Sequence, residues 1–486
     1  MSESLTQISV TGHSDIELFV VNHSLQLVAR GTLPWNGNLP SGVYKFKFRR
    51  GNAIEEQTVI LEPGSAPRSL AAPALATASP VPLAASSRTH EYHMAAAIEH
   101  SLKIDQTFGK GGQLFLLVRD WTTRDRPGRT SNPAAGLRIC DAAGVVLIDV
   151  EKTTGGEGDQ DRWAVVNIEL NPGSYRLRLE TIARGAFEQT VVVSNEWQTQ
   201  VFMLLSNYGS AEEPDWRADI SRASVLMAKV GEGFEPQSEA FRLADTACAW
   251  LGSRQQTAAA AGLRRALDLK YDNPMLGIYA AHAVASGRTK DKIARQELFD
   301  ESFFAAVVSH LENLVPAHPD VQALRLWLED ASSMTIPPLH MPPMLTSSWM
   351  KFVEASASRR ELIARGSLAS KIGGCVWGDG PWLIWSADDV ERLNAPEKDV
   401  EDVDILNVLN RLQDSGLDSL DLNNLESALM QQVGAAATTP RAMTRSSPAR
   451  RMRVKSAEEL VKNLGVPLET LQAAAIDLLE KSSRKK

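Results

Sequence analysis

Apolar and polar positions alternate in one part of the chain and recur helically in another. Residues 5 to 62 read as short strands, with stretches in which apolar side chains fall at every second position, the period of a half-buried strand. Ile16, Leu18 and Val20 alternate, a turn runs from Val21 through Asn22, His23 and Ser24, and Leu25, Leu27 and Ala29 follow. In LPSGVYKFKF, Tyr44, Phe46 and Phe48 share one face and Lys45 and Lys47 the other, after a Pro-Ser-Gly turn. A short helical stretch (91–104) then leads into a second β-region that ends near Leu205. From about Asp215 the period reads as helical. Ala223, Leu226, Met227 and Val230 make one predicted stripe, ended by Gly231 and Gly233. Phe304, Val307, Val308, Leu311 and Leu314 make another, stopped by Pro316. Asn273–Pro274 has the form of a helix start, and Asp320 is the expected cap of a helix carrying Val321, Leu324 and Leu328.

The two β-regions repeat one another. LNPGSYRLRLETIARGAFEQTVVV (170–193) parallels LPSGVYKFKFRRGNAIEEQTVIL (39–61), with Tyr175 matching Tyr44 and Gln189–Thr190–Val191 matching Gln57–Thr58–Val59. Upstream, LRICDAAGVVLIDV (137–150) matches the strand–turn–strand of IELFVVNHSLQLVA (16–29). Two copies of a hairpin-rich unit account for this. The Gly-x-Tyr turn and the alternating strand after it resemble the PEGA or carboxypeptidase-regulatory-like β-sandwich modules. That resemblance implies accessory units that bind or space, with Tyr44 and Tyr175 as packing residues. The expected fold is therefore multidomain α+β: two small antiparallel β-sandwich modules, an all-α helical domain and a short helical tail.

Composition places the boundaries. Residues 1–62 form the first module. The Pro/Ala/Ser-rich stretch 63–90 is a linker without aromatic anchors, and 91–207 is the second module with its N-terminal helix. The all-α domain is expected over 215–433. It includes a segment with Trp377, Trp382 and Trp385, which reads as core more readily than as a sticky surface, and two amphipathic acidic–apolar helices after residue 387. Residues 434–455 are low in apolar content and carry Arg441, Arg445, Arg450, Arg451 and Arg453, the composition of a disordered basic linker. A helical hairpin closes the chain (456–486), with Ser456 and Glu459 as a capping box and Gly465 as a stop.

At 486 residues the chain is too long for one core, and its net charge of −8 speaks against nucleic-acid binding over the whole surface. The basic linker is the one stretch expected to touch nucleic acid, non-specifically. The first residues lack a positive and then apolar leader, and no run reaches the roughly 18 apolar residues of a membrane span, so the cytoplasm is the expected compartment. Cys140, Cys248 and Cys375 are odd in number and far apart, which fits neither a disulfide framework nor a zinc site.

Candidate chemistry is sparse. Cys375 in a glycine turn could serve a Cys-dependent hydrolase, with His282, His310, His318 or His340 as partner; a small buried core thiol is the plainer reading. His90, His93 and His100 cluster beside Glu91 and Glu99 without completing a tetrahedral set. Glu157, Asp159 and Asp161 alternate in a loop that lacks the distal Glu and helical flanks of a calcium site, and GKGGQ (109–113) lacks the ending of a phosphate loop. No metal, cofactor or catalytic residue is assigned. The final two helices resemble a helix-turn-helix, but LETLQAAAIDLLEK carries no Arg and suits a protein groove better than DNA.

These features lead to an expected non-catalytic scaffold or adaptor. It would bind protein partners through its β-modules, its helical domain and the tail residues Leu460, Leu464, Leu471, Ile476 and Leu479. The alternative is a regulatory protein of a bacterial stress or defence system, cut by a partner protease within 434–455.

Overall fold

The computed structural model describes residues 5–392, except 13–15, 24–25, 51–52, 63, 74, 76–87, 121–131, 158–161, 237, 253–259, 287–300, 329–334 and 379. Strand outweighs helix, about 41% to 29%, so the protein is a mixed α and β structure with several sheets. The described residues fall into two compact units. One takes residues up to 137 together with 149–173 and 193–316, and the other takes 138–148, 174–192 and 317–392.

The first copy of the repeat has seven strands: β1 (Leu5–Thr11), β2 (Glu17–Asn22), β3 (Leu27–Thr32), β4 (Trp35–Pro40), β5 (Gly42–Arg50), β6 (Ala53–Leu61) and β7 (Arg68–Ala71). They make a sheet of order β4-β1-β7 and another of order β3-β2-β5-β6. β1 is antiparallel to β4 and parallel to β7. Both sheets feed one apolar cluster, Ile8 and Val10 from the first and Leu18, Val20, Phe46, Phe48 and Val59 from the second. Period two explains this, because alternate side chains leave a strand on opposite faces. Tyr44 packs in the same cluster, and its hydroxyl donates to the Pro40 carbonyl at 2.9 Å. Burying Phe46 or Phe48 fully stabilises by roughly 1.5–3 kcal/mol each.

The second region continues with β8 (Gln106–Thr107), β9 (Gly112–Asp120), β10 (Leu137–Cys140), β11 (Val146–Asp149), β12 (Thr154–Glu157), β13 (Arg162–Leu170), β14 (Gly173–Thr181), β15 (Gly185–Val193) and β16 (Trp197–Asn207). Its strand orders contain those of the first copy. β11-β10-β14-β15 repeats β3-β2-β5-β6, and β13-β9-β16 repeats β4-β1-β7. The senses agree too, since β9 is antiparallel to β13 and parallel to β16. All seven strands of the repeat have a counterpart.

From residue 215 the expectation of helices alone needs correction at four places among the described residues. β17 (Trp216–Ala218) and β18 (Ser224–Lys229) pair antiparallel with β16, and β19 (Val376–Trp377) and β20 (Ile384–Ser386) extend the sheet past β15. Leu226 and Met227, read as part of a helical stripe, thus lie on β18, with Ala223 just before it and Val230 just after. Residues 224 to 228 are all buried. A strand covered on both faces is a short continuous apolar run, which periodicity cannot separate from a buried helix. The open edge of β16 decides between them.

Helices dominate the rest. Pro274–Ala285 is buried at every position, and a helix apolar all round belongs inside a core. Asn273 stands at its N-cap, but the carboxamide accepts from the Met227 amide (3.1 Å) and makes no cap bond. Tyr279 donates to the Val225 carbonyl at 2.9 Å, a second tie to β18. Glu301–Leu314 buries Phe304, Val307, Val308 and Leu311 of the stripe read from sequence and leaves Leu314 half-buried. In the other unit, His318 and not Asp320 caps the helix Pro319–Arg325. The Asp320 carboxylate turns instead to the amides of Met344 (3.1 Å) and Leu345 (2.9 Å), where a loop needs two acceptors. Trp382 and Trp385 are buried, and Trp377 packs on Phe187 with ring centroids 4.8 Å apart. Among the described residues no helix is long and apolar enough to cross a membrane.

Candidate functional site

The repeat allows the same place to be compared twice within one chain. The sequence match sets Glu56 against Glu188, Lys45 against Arg176 and Lys47 against Arg178. In each copy a glutamate on the later strand of a hairpin faces two cations on the earlier one. Lys47 lies directly opposite Glu56, Lys45 opposite Thr58, and the Lys45 ammonium sits 2.7 Å from the Glu56 carboxylate. That hydrogen bond holds the Glu56 carboxyl below its ordinary range, and the charges of Lys45 and Lys47 add to it. In the second copy Arg176 and Arg178 each approach Glu188 at 3.4 Å.

The surroundings differ. Glu188 is buried because β20 lies along β15, with Phe187, Glu188 and Gln189 opposite Ser386, Trp385 and Ile384. The Trp385 indole donates to the Glu188 carboxylate at 3.1 Å, and Glu391 pairs with Arg178 at 3.1 Å. Among the described residues β6 is the last strand of its sheet, and the Glu56 side chain is 42% exposed. β7, the counterpart of β16, is likewise the last strand of its sheet, whereas β16 carries β17 and β18. β6 and β7 both border an open depression of about 630 Å³, lined by Gln57, Thr58, Val59, Ile60, Glu62, Ser65, Arg68 and Leu70.

The backbone direction of β6 follows from one contact. The Arg68 guanidinium donates to the Ile60 carbonyl at 3.1 Å, so Ile60 turns its peptide groups away from β5. In an antiparallel strand the N–H and C=O of one residue point to the same side and alternate along the chain. Thr58, Glu56 and Ile54 therefore present theirs outward as well. The second copy agrees, because the Ser386 amide donates to the Cys375 carbonyl (2.9 Å) on the β19 side, which turns Trp385 towards Glu188. An edge of this kind accepts a further strand. The turn leading to β7 is tied by Ser65, whose hydroxyl donates to the Glu62 carbonyl at 2.7 Å and accepts from the Glu62 amide at 3.0 Å.

None of the residues nominated from sequence is among the described residues of this edge. Leu460, Leu464, Leu471, Ile476 and Leu479, and Arg441, Arg445, Arg450, Arg451 and Arg453, fall outside the described residues. Cys375 is buried, with its thiol 3.9 Å from the Lys371 carbonyl, and a buried thiol is the less reactive kind. His318 is fully enclosed, and burial pushes its pKa down to about 3. His100 is buried against Trp163, with ring centroids 5.3 Å apart. Glu157 ends β12 in a hairpin with β13, while Asp159 and Asp161 fall outside the described residues. No group of three His, Cys, Asp or Glu among the described residues is placed to hold a metal ion. Sequence reasoning missed this edge, and no signal along the chain could have shown it, because a strand edge is made of backbone groups that leave no side-chain pattern.

No family model matches the chain, and no curated protein matches it. Among solved structures, the Bacillus anthracis TIE protein is similar over 40% of this chain at 13% identity and a TM-score of 0.13; the chain spans 32% of that protein. A candidate adhesin from Bacteroides ovatus is similar over 39% of this chain and 72% of its own, at 8% identity and a TM-score of 0.13.

Proposed function

We propose that this chain is a non-catalytic scaffold or adaptor that binds protein partners. In this reading the two repeats are β-sandwich modules of the PEGA-like kind. The second is closed by strands from the downstream helical region, and the first keeps a free edge for a partner. The observation that carries the reading is this internal contrast: among the described residues, equivalent strands are covered in one copy and end their sheets in the other. Exposed edges are usually blunted, because unpaired N–H and C=O groups template association. A retained edge beside an open depression is what a binding module needs.

The test is capture of partners by full-length protein, by Thr58→Pro and by a truncation at residue 392. Proline at 58 removes an outward amide and leaves the bonds to β5 in place. Loss of capture with Thr58→Pro, and its retention in the truncation, supports binding through the edge. Loss with the truncation alone moves recognition to the tail. Absence of specific partners with every form defeats the scaffold reading.

A further inference from the structure

The second copy does more than show that an edge can be covered; it shows by what. β20 supplies an apolar and aromatic strand running antiparallel to β15, with Trp385 opposite Glu188 and Ile384 opposite Gln189. The indole N–H satisfies the glutamate, and the carboxylate of Glu391 satisfies Arg178. Each of these groups has its counterpart in the first copy, in Glu56, Gln57 and Lys47, with the outward peptide groups of Glu56 and Thr58 in the same phase.

Resting on the binding reading above, we infer that the β6 edge binds an extended peptide segment antiparallel to itself, with a tryptophan opposite Glu56 and a carboxylate further along that reaches Lys47. Main-chain bonds to the outward groups of Ile54, Glu56 and Thr58 supply affinity. The apolar neighbours of the tryptophan enter the depression by Val59, Ile60 and Leu70, and the aromatic donor and the carboxylate supply selection. Ile60 is 58% exposed and Val43, directly across from it, 43%, so apolar surface is ready on the outer face of the same strands. Charge complementarity favours this occupant over a second copy of β6. Antiparallel pairing of β6 with itself brings together two strands that each carry Glu55 and Glu56 and contain no cation.

The chain's own segment 381–392, PWLIWSADDVER, is the probe. A fluorescein-labelled peptide of this sequence is titrated into the full-length protein and followed by fluorescence anisotropy. Saturable binding is expected, weaker by about tenfold or more in Thr58→Pro and in Ile60→Lys. Ile60→Lys alters an exposed side chain and keeps the test valid if the proline variant misfolds. Replacing the peptide's own Trp385 by Phe should weaken binding several-fold, and replacing its Glu391 by Gln should remove much of the salt dependence. Equal binding to wild type and both protein variants, or of a scrambled peptide, overturns the proposal, as does no saturation by about 1 mM peptide. Sedimentation that shows a dimer dissociated by Thr58→Pro assigns the edge to a second copy and overturns it too. If partner capture depends on Thr58 while the peptide fails to bind, the strand chemistry inferred here is wrong and the scaffold reading stands. If neither depends on Thr58, this inference and binding through the edge both fall, and the scaffold reading rests on the tail alone.

Discussion

The two copies of the seven-strand repeat share a pairing scheme and one motif of a glutamate between two cations, yet they use it differently. In the second copy Glu188, Arg176 and Arg178 are drawn under β20, and their charges are satisfied inside the protein. In the first, Glu56 and Lys45 remain at the surface. Equivalent positions thus become a fixed structural cluster or an accessible one, depending on whether a further strand is present. Lysine suits the exposed version, as a flexible and strongly hydrated point charge. Arginine suits the enclosed one, because its planar fork is more weakly hydrated and orders fewer torsions per bond.

The largest expected effect is on the enclosed cluster. Glu188→Ala leaves two guanidinium groups without their shared carboxylate and should cost about 3–5 kcal/mol in urea unfolding, while Glu56→Ala should stay within about 1 kcal/mol. Equal losses would mean that the two sites are equally buried in solution, and the comparison would break. A control inside the first copy comes next. Glu17 is buried and bound to Arg49, with one bond of 2.7 Å, so Glu17→Ala should cost about 3 kcal/mol and show that this module is not simply soft everywhere. Trp385→Phe removes one donor to a charged acceptor and should cost about 2 kcal/mol, with loosening of β20 read as faster exchange of the Glu188 amide.

Acid offers a smaller and directional test. His318 is held neutral by burial in the unit that carries β20, with its folded pKa about 3, well below the unfolded value. Between those two values the unfolded chain binds the extra proton, so this contribution to stability is complete above roughly pH 6.5 and is lost as the pH falls. From about pH 7.5 to pH 5 the loss should be about 2 kcal/mol, absent in His318→Asn, which keeps an oxygen acceptor at the cap. The smallest effect needs no mutation. Hydrogen exchange should find the amides of Glu56 and Thr58 nearly unprotected and that of Glu188 slowed by at least about a hundredfold.

Much of this arrangement was legible along the chain. The alternation of Tyr44, Phe46 and Phe48, and the recurrence of Gln57–Thr58–Val59 at Gln189–Thr190–Val191, were enough to expect two related β-units. The stripe of Phe304, Val307, Val308 and Leu311 was enough for a helix. The reading went astray at Leu226 and Met227, where a strand buried on both faces carries no period of its own. It also missed Val376–Trp377 and Ile384–Ser386, two or three residues long and too short for any pattern. Asp320 has the composition of a cap, but two loop amides claim its carboxylate.

Sequence by itself determined the strands that have one wet face, the helices that have one apolar stripe, and the fact of repetition, because these are recorded in local spacing. Which edges would be closed was decided only in three dimensions. A strand edge is satisfied by backbone groups, and those carry no side-chain signature. The partner of β15 lies nearly two hundred residues further along, at Ile384–Ser386. No local pattern shows that β15 receives such a strand while β6 ends its sheet among the described residues.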